Sequence, residues 1–255
     1  MSDAPRGFAL RVSRRSIQVV RDTRNRFLAE VTAIQNENEQ PVRRARKPSD
    51  DQARRVLLKA SQEFWKPLMS IYADLDLSPV RGRRAIDALS AGGLVRLRKI
   101  PRVGRGGQHT VCEVLADADP VLREAGIERP KRKLGGSWLH NLYGVYVAKW
   151  AKREGFDGIE FERTLGTKQF DLVFSNGAGE LSGVEICLTG SDERTALQLK
   201  DALSNNGVRV LAVFDNRSLL NDTQEILRKT VPRSSLERLQ MRLIGELVSR
   251  VLEGV

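Results

Sequence analysis

The stretch from Gln169 to Leu188 constrains the fold more than any other part of the chain. Gln169-Phe170-Asp171-Leu172-Val173-Phe174 and Gly183-Val184-Glu185-Ile186-Cys187-Leu188 are short apolar blocks with one acid each. Ser175-Asn176-Gly177-Ala178-Gly179 between them is a hairpin-turn signal, which predicts adjacent strands over Gln169 to Phe174 and Leu181 to Leu188. Residues two apart on a strand face the same way, so Glu185 and Cys187 share a face, and Asp171 arrives from the neighbouring strand. Two carboxylates are therefore expected at one edge of a sheet.

The sequence around this pair predicts a layered α/β domain. Ser137 opens a helix with Leu139, Tyr143, Tyr146 and Trp150 on one stripe. A strand follows over Gly158 to Arg163, and after the two blocks come a helix over Asp192 to Ser204 and a strand over Val208 to Phe214. That strand is apolar apart from Arg209 and rich in valine, as one buried on both faces would be. A helix over Leu219 to Thr230, a strand over Gln240 to Ile244 and a last helix to Leu252 complete the order α-β-β-β-α-β-α-β-α.

The first half of the chain differs in charge. The whole carries 43 Lys and Arg against 32 Asp and Glu, a net charge of +11. Residues 1–133 hold 28 of the cations and 16 of the acids, whereas residues 134–255 hold 15 and 16. Such asymmetry predicts a polyanion-binding module joined to a neutral one. No apolar run reaches 18 residues, which excludes a spanning helix of the usual kind. Met1 to Gly7 lacks a secretory pattern, and Cys112 and Cys187 fall on separate expected strands. A cytoplasmic, reducing location is the expectation, without a disulfide framework or a structural zinc site. The chain also carries no P-loop pattern.

Residues 14–37 read as a helix whose apolar stripe (Ile17, Val20, Phe27, Leu28, Val31, Ile34) has no evident home within the chain, so residues 1–48 are expected to act as an arm and basic linker that docks on a protein partner. Between residues 49 and 116 the pattern gives a helix through Val56, Leu57 and Ala60, a short helix over Leu68 to Ala73, and a third from Pro79 to Ala91, capped by Ser78 and stopped by Gly92-Gly93. Leu94 to Ile100 and Thr110 to Leu115 alternate like a hairpin whose loop is rich in glycine and arginine.

Residues 49–116 resemble a winged helix-turn-helix domain. The resemblance implies double-stranded DNA as partner, with Arg81, Arg83 and Arg84 on the helix that enters a groove and Arg102 and Arg105 in the wing. The basic hinge Lys131-Arg132-Lys133 is a further candidate for phosphate contact, and the domain boundary is expected near residue 130, giving a DNA-binding domain over 49–130 and a second domain over 131–255.

From residue 134 to 250 the order and the two acidic strands resemble the PD-(D/E)XK superfamily, the fold of restriction endonucleases. The resemblance implies an endonuclease in which Asp171 and Glu185, with Glu160 or Glu162 on the first strand as a further carboxylate, hold Mg²⁺ or Mn²⁺ to activate water. It also implies a homodimer and a mobile-element, plasmid or defence setting. The chain departs from the family pattern at two positions. Phe170 precedes the aspartate where the family has proline, and Cys187 stands where the family has lysine. Some members move that lysine to the helix behind the strands, which makes Lys200 the candidate catalytic lysine, with Lys168 just before the aspartate strand as the alternative. Where some members use an acid on the first helix, this chain offers His140. Two readings from other classes stand beside the nuclease: an inactive nuclease-fold adaptor, and a transcriptional regulator with a sensor domain.

Overall fold

Serine side chains set where helices begin. Ser78 Oγ accepts from the Arg81 amide, Ser137 Oγ from the His140 amide and Ser191 Oγ from the Arg194 amide, each satisfying an N–H that the first turn leaves free. In the computed structural model residues 51–102, 107–188, 190–205 and 207–253 are described. The arm and linker expected over residues 1–48, and Arg105 of the hairpin loop, lie outside them.

The first part of the described chain is three helices and a hairpin. Helix α1 (Asp51–Gln62), α2 (Leu68–Asp74) and α3 (Pro79–Ala91) are followed by β1 (Val95–Pro101) and β2 (Gln108–Val114), paired antiparallel from Val95↔Val114 to Pro101↔Gln108. Pro79 occupies the first turn of α3, and Gly93, at φ 72°, follows its end in the left-handed conformation that glycine adopts without cost. A short helix α4 (Asp119–Glu124) leads towards the second part.

That second part is built on a five-stranded mixed sheet, in the order β3-β4-β5-β6-β7. Helix α5 (Trp138–Arg153) precedes β3 (Asp157–Leu165), β4 (Lys168–Ser175) and β5 (Leu181–Cys187). Then come α6 (Asp192–Ser204), β6 (Arg209–Phe214), α7 (Arg217–Thr230), the short α8 (Arg233–Leu236), β7 (Leu239–Leu243) and α9 (Ile244–Leu252). β3, β4 and β5 run antiparallel to one another, while β5, β6 and β7 are parallel. The expected α/β order is present, with α8 added.

Each face of the sheet buries its own apolar layer. On one face Tyr143, Tyr146 and Leu247 pack against Leu172, Phe174, Leu211 and Val213. On the other, Leu199, Ala202 and Leu227 pack against Phe170, Val173, Val210 and Phe214. β6 thus feeds both layers, as its unbroken apolar run requires. The first layer also takes in Ile100 of β1 and Val111 of β2. One apolar cluster therefore draws on residues from both sides of residue 130, and all the described residues belong to one compact unit.

The sheet splits at one end. β4 and β5 pair from Ser175↔Leu181 to Leu172↔Val184 and then part. β4 continues beside β3 as far as Lys168, and β5 continues beside β6 as far as Cys187. Phe170 turns its ring over Gly183, where a Cβ would collide with it. Glycine at 183 is what lets the aromatic ring close the layer beneath the fork.

Candidate active site at the strand fork

Parting strands leave backbone N–H groups without ladder partners, and such groups need another acceptor. At the fork Asp171 Oδ2 accepts from the Ile186 amide at 2.7 Å, so the carboxylate of one strand replaces the missing backbone bond of the next. Glu185 lies beside it on β5 and is largely buried. Its Oε1 is 3.3 Å from Lys168 Nζ, in an ion pair with side-chain exposures of 13% and 18%. The geometry is that of an ion pair and not of an aligned hydrogen bond, since Oε1 is buried without one. Burial first, and then the charge of Asp171, push the Glu185 carboxyl up to about 7.

His140, in the first turn of α5, completes the cluster. Its Nε2 is 3.2 Å from Asp171 Oδ2, and its Nδ1 is 3.0 Å from the Gly135 carbonyl oxygen. Both ring nitrogens face acceptors, and a neutral imidazole has only one N–H to give. The hydrogen bond to Asp171 is the main cause of the upward shift of the His140 pKa. Two acids at the fork are thus matched by two bases, one from the start of β4 and one from the start of α5.

The remaining expected site residues lie elsewhere. Lys200 is exposed on α6, where its neighbour Leu199 faces the sheet, and it is Lys168 that meets Glu185. Glu160 is exposed and ion-paired at 2.5 Å with Arg163, three residues along its own strand, just after the register of β3 shifts between Asp157 and Glu160. Glu162 accepts from the Gly135 amide at 2.5 Å, and its φ of 52° is left-handed, which is uncommon for a residue with a side chain. Cys187 sits in the apolar layer, and burial pushes its thiol up to about 12. It packs as a small apolar residue. Sequence reasoning did not find the link from Tyr143 Oη, which donates to Asp215 Oδ1 at 2.7 Å beyond the end of β6. The Tyr143 stripe was legible as core, but nothing marked Asp215 as its partner.

The residues at the fork fit a hard divalent cation. Among the described residues no group of three or more His, Cys, Asp or Glu is gathered to hold a metal ion. Two carboxylates are nevertheless what Mg²⁺ takes from a protein, since it keeps several waters and completes its shell with substrate phosphate. The buried, poorly satisfied Glu185 oxygen beside a second carboxylate is a charge arrangement that a divalent cation would relieve.

Basic groups are spread over two surfaces. Arg81, Arg83 and Arg84 are exposed on α3, with Arg83 Nε held 3.0 Å from Asp87, and Arg102 is exposed after β1. Lys131, Arg132 and Lys133 are exposed on the segment before α5. Lys133 Nζ lies 5.0 Å from the Phe161 ring centre, and Lys149 Nζ lies 3.8 Å from that of Trp65. Burial lowers the Lys149 pKa, with Lys66, Lys133 and Lys152 adding repulsion. Charge counting alone had not singled out Lys149, because its environment comes from Trp65, 84 positions earlier in the sequence.

No family model matches the chain, and no curated protein matches it. Among solved structures it is similar to a repair endonuclease from Pyrococcus abyssi, at 14% identity and a TM-score of 0.30, over 58% of this chain and 63% of that one. It is also similar to the protein of an EndoMS–dsDNA complex, at 15% identity and a TM-score of 0.29, over 58% of this chain and 64% of that one. The chain thus spans less than two thirds of either. No helix among the described residues is long and apolar enough to cross a membrane.

Proposed function

We propose that the chain is a DNA-binding, divalent-metal-dependent endonuclease whose reacting centre is the strand fork. The observation that carries this is the Lys168–Glu185 ion pair at 3.3 Å beside Asp171. It supplies, from the start of β4, the cation that Cys187 does not supply from β5. In this reading Asp171 and Glu185 hold Mg²⁺ or Mn²⁺, which would activate water and neutralise charge at the phosphate when bound. Lys168 places a positive charge at Glu185 and orients the attacking water. Lys200 is then a surface residue.

The DNA would be gripped by residues 49–130 acting as a winged helix, with Arg81 and Arg84 free to reach phosphate or base edges and Arg102 beside the loop. Lys131, Arg132 and Lys133 would lead the backbone towards the fork. A homodimer cutting both strands, a protein partner for residues 1–48, and a role in a mobile element or defence system belong to the same proposal.

One observation favours a second reading. His140 and Lys168 already balance the two acids, so the fork could be a closed structural cluster in a non-catalytic DNA-binding adaptor. The experiment is cleavage of supercoiled, linear and branched duplex DNA with Mg²⁺ or Mn²⁺, comparing wild type with Asp171→Ala, Glu185→Ala and Lys168→Ala. Metal-dependent cutting lost in all three variants is the expected result. Tight, salt-dependent binding with no cutting by the wild type would select the adaptor.

A further inference from the structure

Among the described residues, the donors to Asp171 converge on one oxygen. Both hydrogen bonds that the described residues give its carboxylate, from the Ile186 amide and His140 Nε2, go to Oδ2. No hydrogen bond among the described residues reaches Oδ1. A carboxylate anchored in this way has its orientation set by the donors behind it.

The donor behind it is itself tied to a basic segment. His140 Nδ1 meets the carbonyl of Gly135 at 3.0 Å, and the amide of that glycine donates to Glu162 at 2.5 Å. Next to His140, the buried side chain of Asn141 accepts from the Lys133 and Leu134 amides at 2.7 and 3.3 Å. Leu134 is buried and lies so close to Gly144 on α5 that a Cβ at 144 would run into it. Arg132 Nη1 donates to the Gly136 carbonyl at 3.2 Å. Residues 132–136, read from sequence as a hinge, are therefore a fastened strap across the start of α5, with the side chains of Lys131, Arg132 and Lys133 on its outside. Glu162 is left-handed in the stretch of β3 facing Asp171, between the pairs Phe161↔Leu172 and Arg163↔Phe170. Strained backbone held where a polar network needs it is a recognised mark of function.

We infer that His140 is a positioning residue that orients Asp171 and couples it to the phosphate-facing strap 131–136. DNA engaged by Lys131 and Lys133 acts on the same backbone that holds the imidazole, so substrate on the strap steadies the carboxylate at the fork. The inference rests on the nuclease reading for its catalytic consequence, but its structural half can be read without cleavage.

The test uses the full chain and amide hydrogen exchange of Ile186 in EDTA, with the amide of Val213, its partner on the neighbouring strand β6, as control. His140→Ala should speed Ile186 exchange about tenfold or more and leave Val213 unchanged. His140→Gln, which keeps an N–H for Asp171, should restore most of the protection. Adding a duplex should slow Ile186 exchange in the wild type but not in the Lys131→Gln/Lys133→Gln variant at saturating DNA. In single-turnover cleavage with Mn²⁺, His140→Ala should lose roughly 10- to 100-fold in rate with DNA affinity within about twofold, and His140→Gln should recover part of it. Unchanged Ile186 exchange in His140→Ala would overturn the inference, as would equal loss of protection at Ile186 and Val213 in both His140 variants. If the wild type neither cuts nor binds Mn²⁺, the nuclease reading falls, and the Ile186 data still decide whether His140 positions Asp171.

Discussion

The two ends of the five-stranded sheet solve the same problem in opposite ways. At one end β4 and β5 stay paired to Ser175↔Leu181, and the rings of Trp150, Phe156 and Phe174 close over them, with centroids 4.6 to 6.3 Å apart. At the other the strands part, and side chains take over the work of the ladder: Asp171 accepts the Ile186 amide, and Lys168 reaches Glu185. Packing holds the first end and balanced charge holds the second. Substitutions at the aromatic end should therefore cost stability and spare chemistry, while those at the fork should do the reverse.

The sharpest form of that contrast is Phe174→Ala. Phe174 is 2% exposed and touches both other rings, so the cavity left behind should destabilise the chain by about 3–5 kcal/mol. Urea unfolding followed by tryptophan fluorescence measures it. DNA cleavage per folded molecule should be unchanged, and a parallel loss of cleavage would break the division between the two ends.

Lys168→Gln tests the opposite end. Removing one pre-organised charge from a reacting centre lowers rates by roughly 10²–10³-fold, and the same loss is expected here in single-turnover cleavage with Mn²⁺. The midpoint in urea should move less than in Phe174→Ala, because Lys168 lies at the start of β4 and outside both apolar layers. Lys200→Gln, on the exposed side of α6, should leave the rate unaltered. A large loss in Lys200→Gln with none in Lys168→Gln would reassign the lysine.

The aromatic end was more legible in the sequence than the fork, for a physical reason. Strand alternation, the Ser175 to Gly179 turn and the Tyr143–Tyr146–Trp150 stripe are local patterns, and local patterns survive without coordinates. Asp171 and Glu185 were found in the same way, since each sits in a periodic block. What stayed hidden depends on where strands separate. The pairing of Lys168 with Glu185 arises because β4 and β5 part above Leu172. Glu160, one of three acids on its strand, pairs with Arg163 just after the register of β3 shifts. His140 was visible as a residue of the first helix, but its bond to Gly135 needs the strap that Asn141 fastens. Nothing in the composition distinguishes a fastened strap from a basic hinge.

Glu185→Gln should separate the ends by pH. The Glu185 carboxyl is raised from an ordinary 4.5 to about 7, chiefly by burial. Between those values the folded chain binds a proton that the unfolded chain releases, so stability falls as pH rises through that window. His140 is also raised, by its bond to Asp171, and its contribution is full below about 6.5 and is lost as pH rises from there through its folded pKa. Both act in the same direction. In EDTA the wild type should lose on the order of 2 kcal/mol between pH 5 and pH 8, and Glu185→Gln should lose clearly less. An equal decline in the variant would show that the cost of the buried acid lies elsewhere.

The smallest effect locates the DNA relative to the two ends. Each lysine that neutralises a backbone phosphate adds about one to the slope of log affinity against log salt. Lys133 is exposed beside the fork, 5.0 Å from the Phe161 ring. Arg209 is exposed at the aromatic end, 3.6 Å from Glu180. Lys133→Gln should reduce the salt slope by about one and weaken a specific and a scrambled duplex alike, since a phosphate contact reads no sequence. Arg209→Gln should leave the slope where it was, because its charge is already shared with Glu180. The reverse pattern would put the DNA across the aromatic end, out of reach of Asp171 and Glu185, and the fork would then be a structural cluster that spares the sheet an unsatisfied edge.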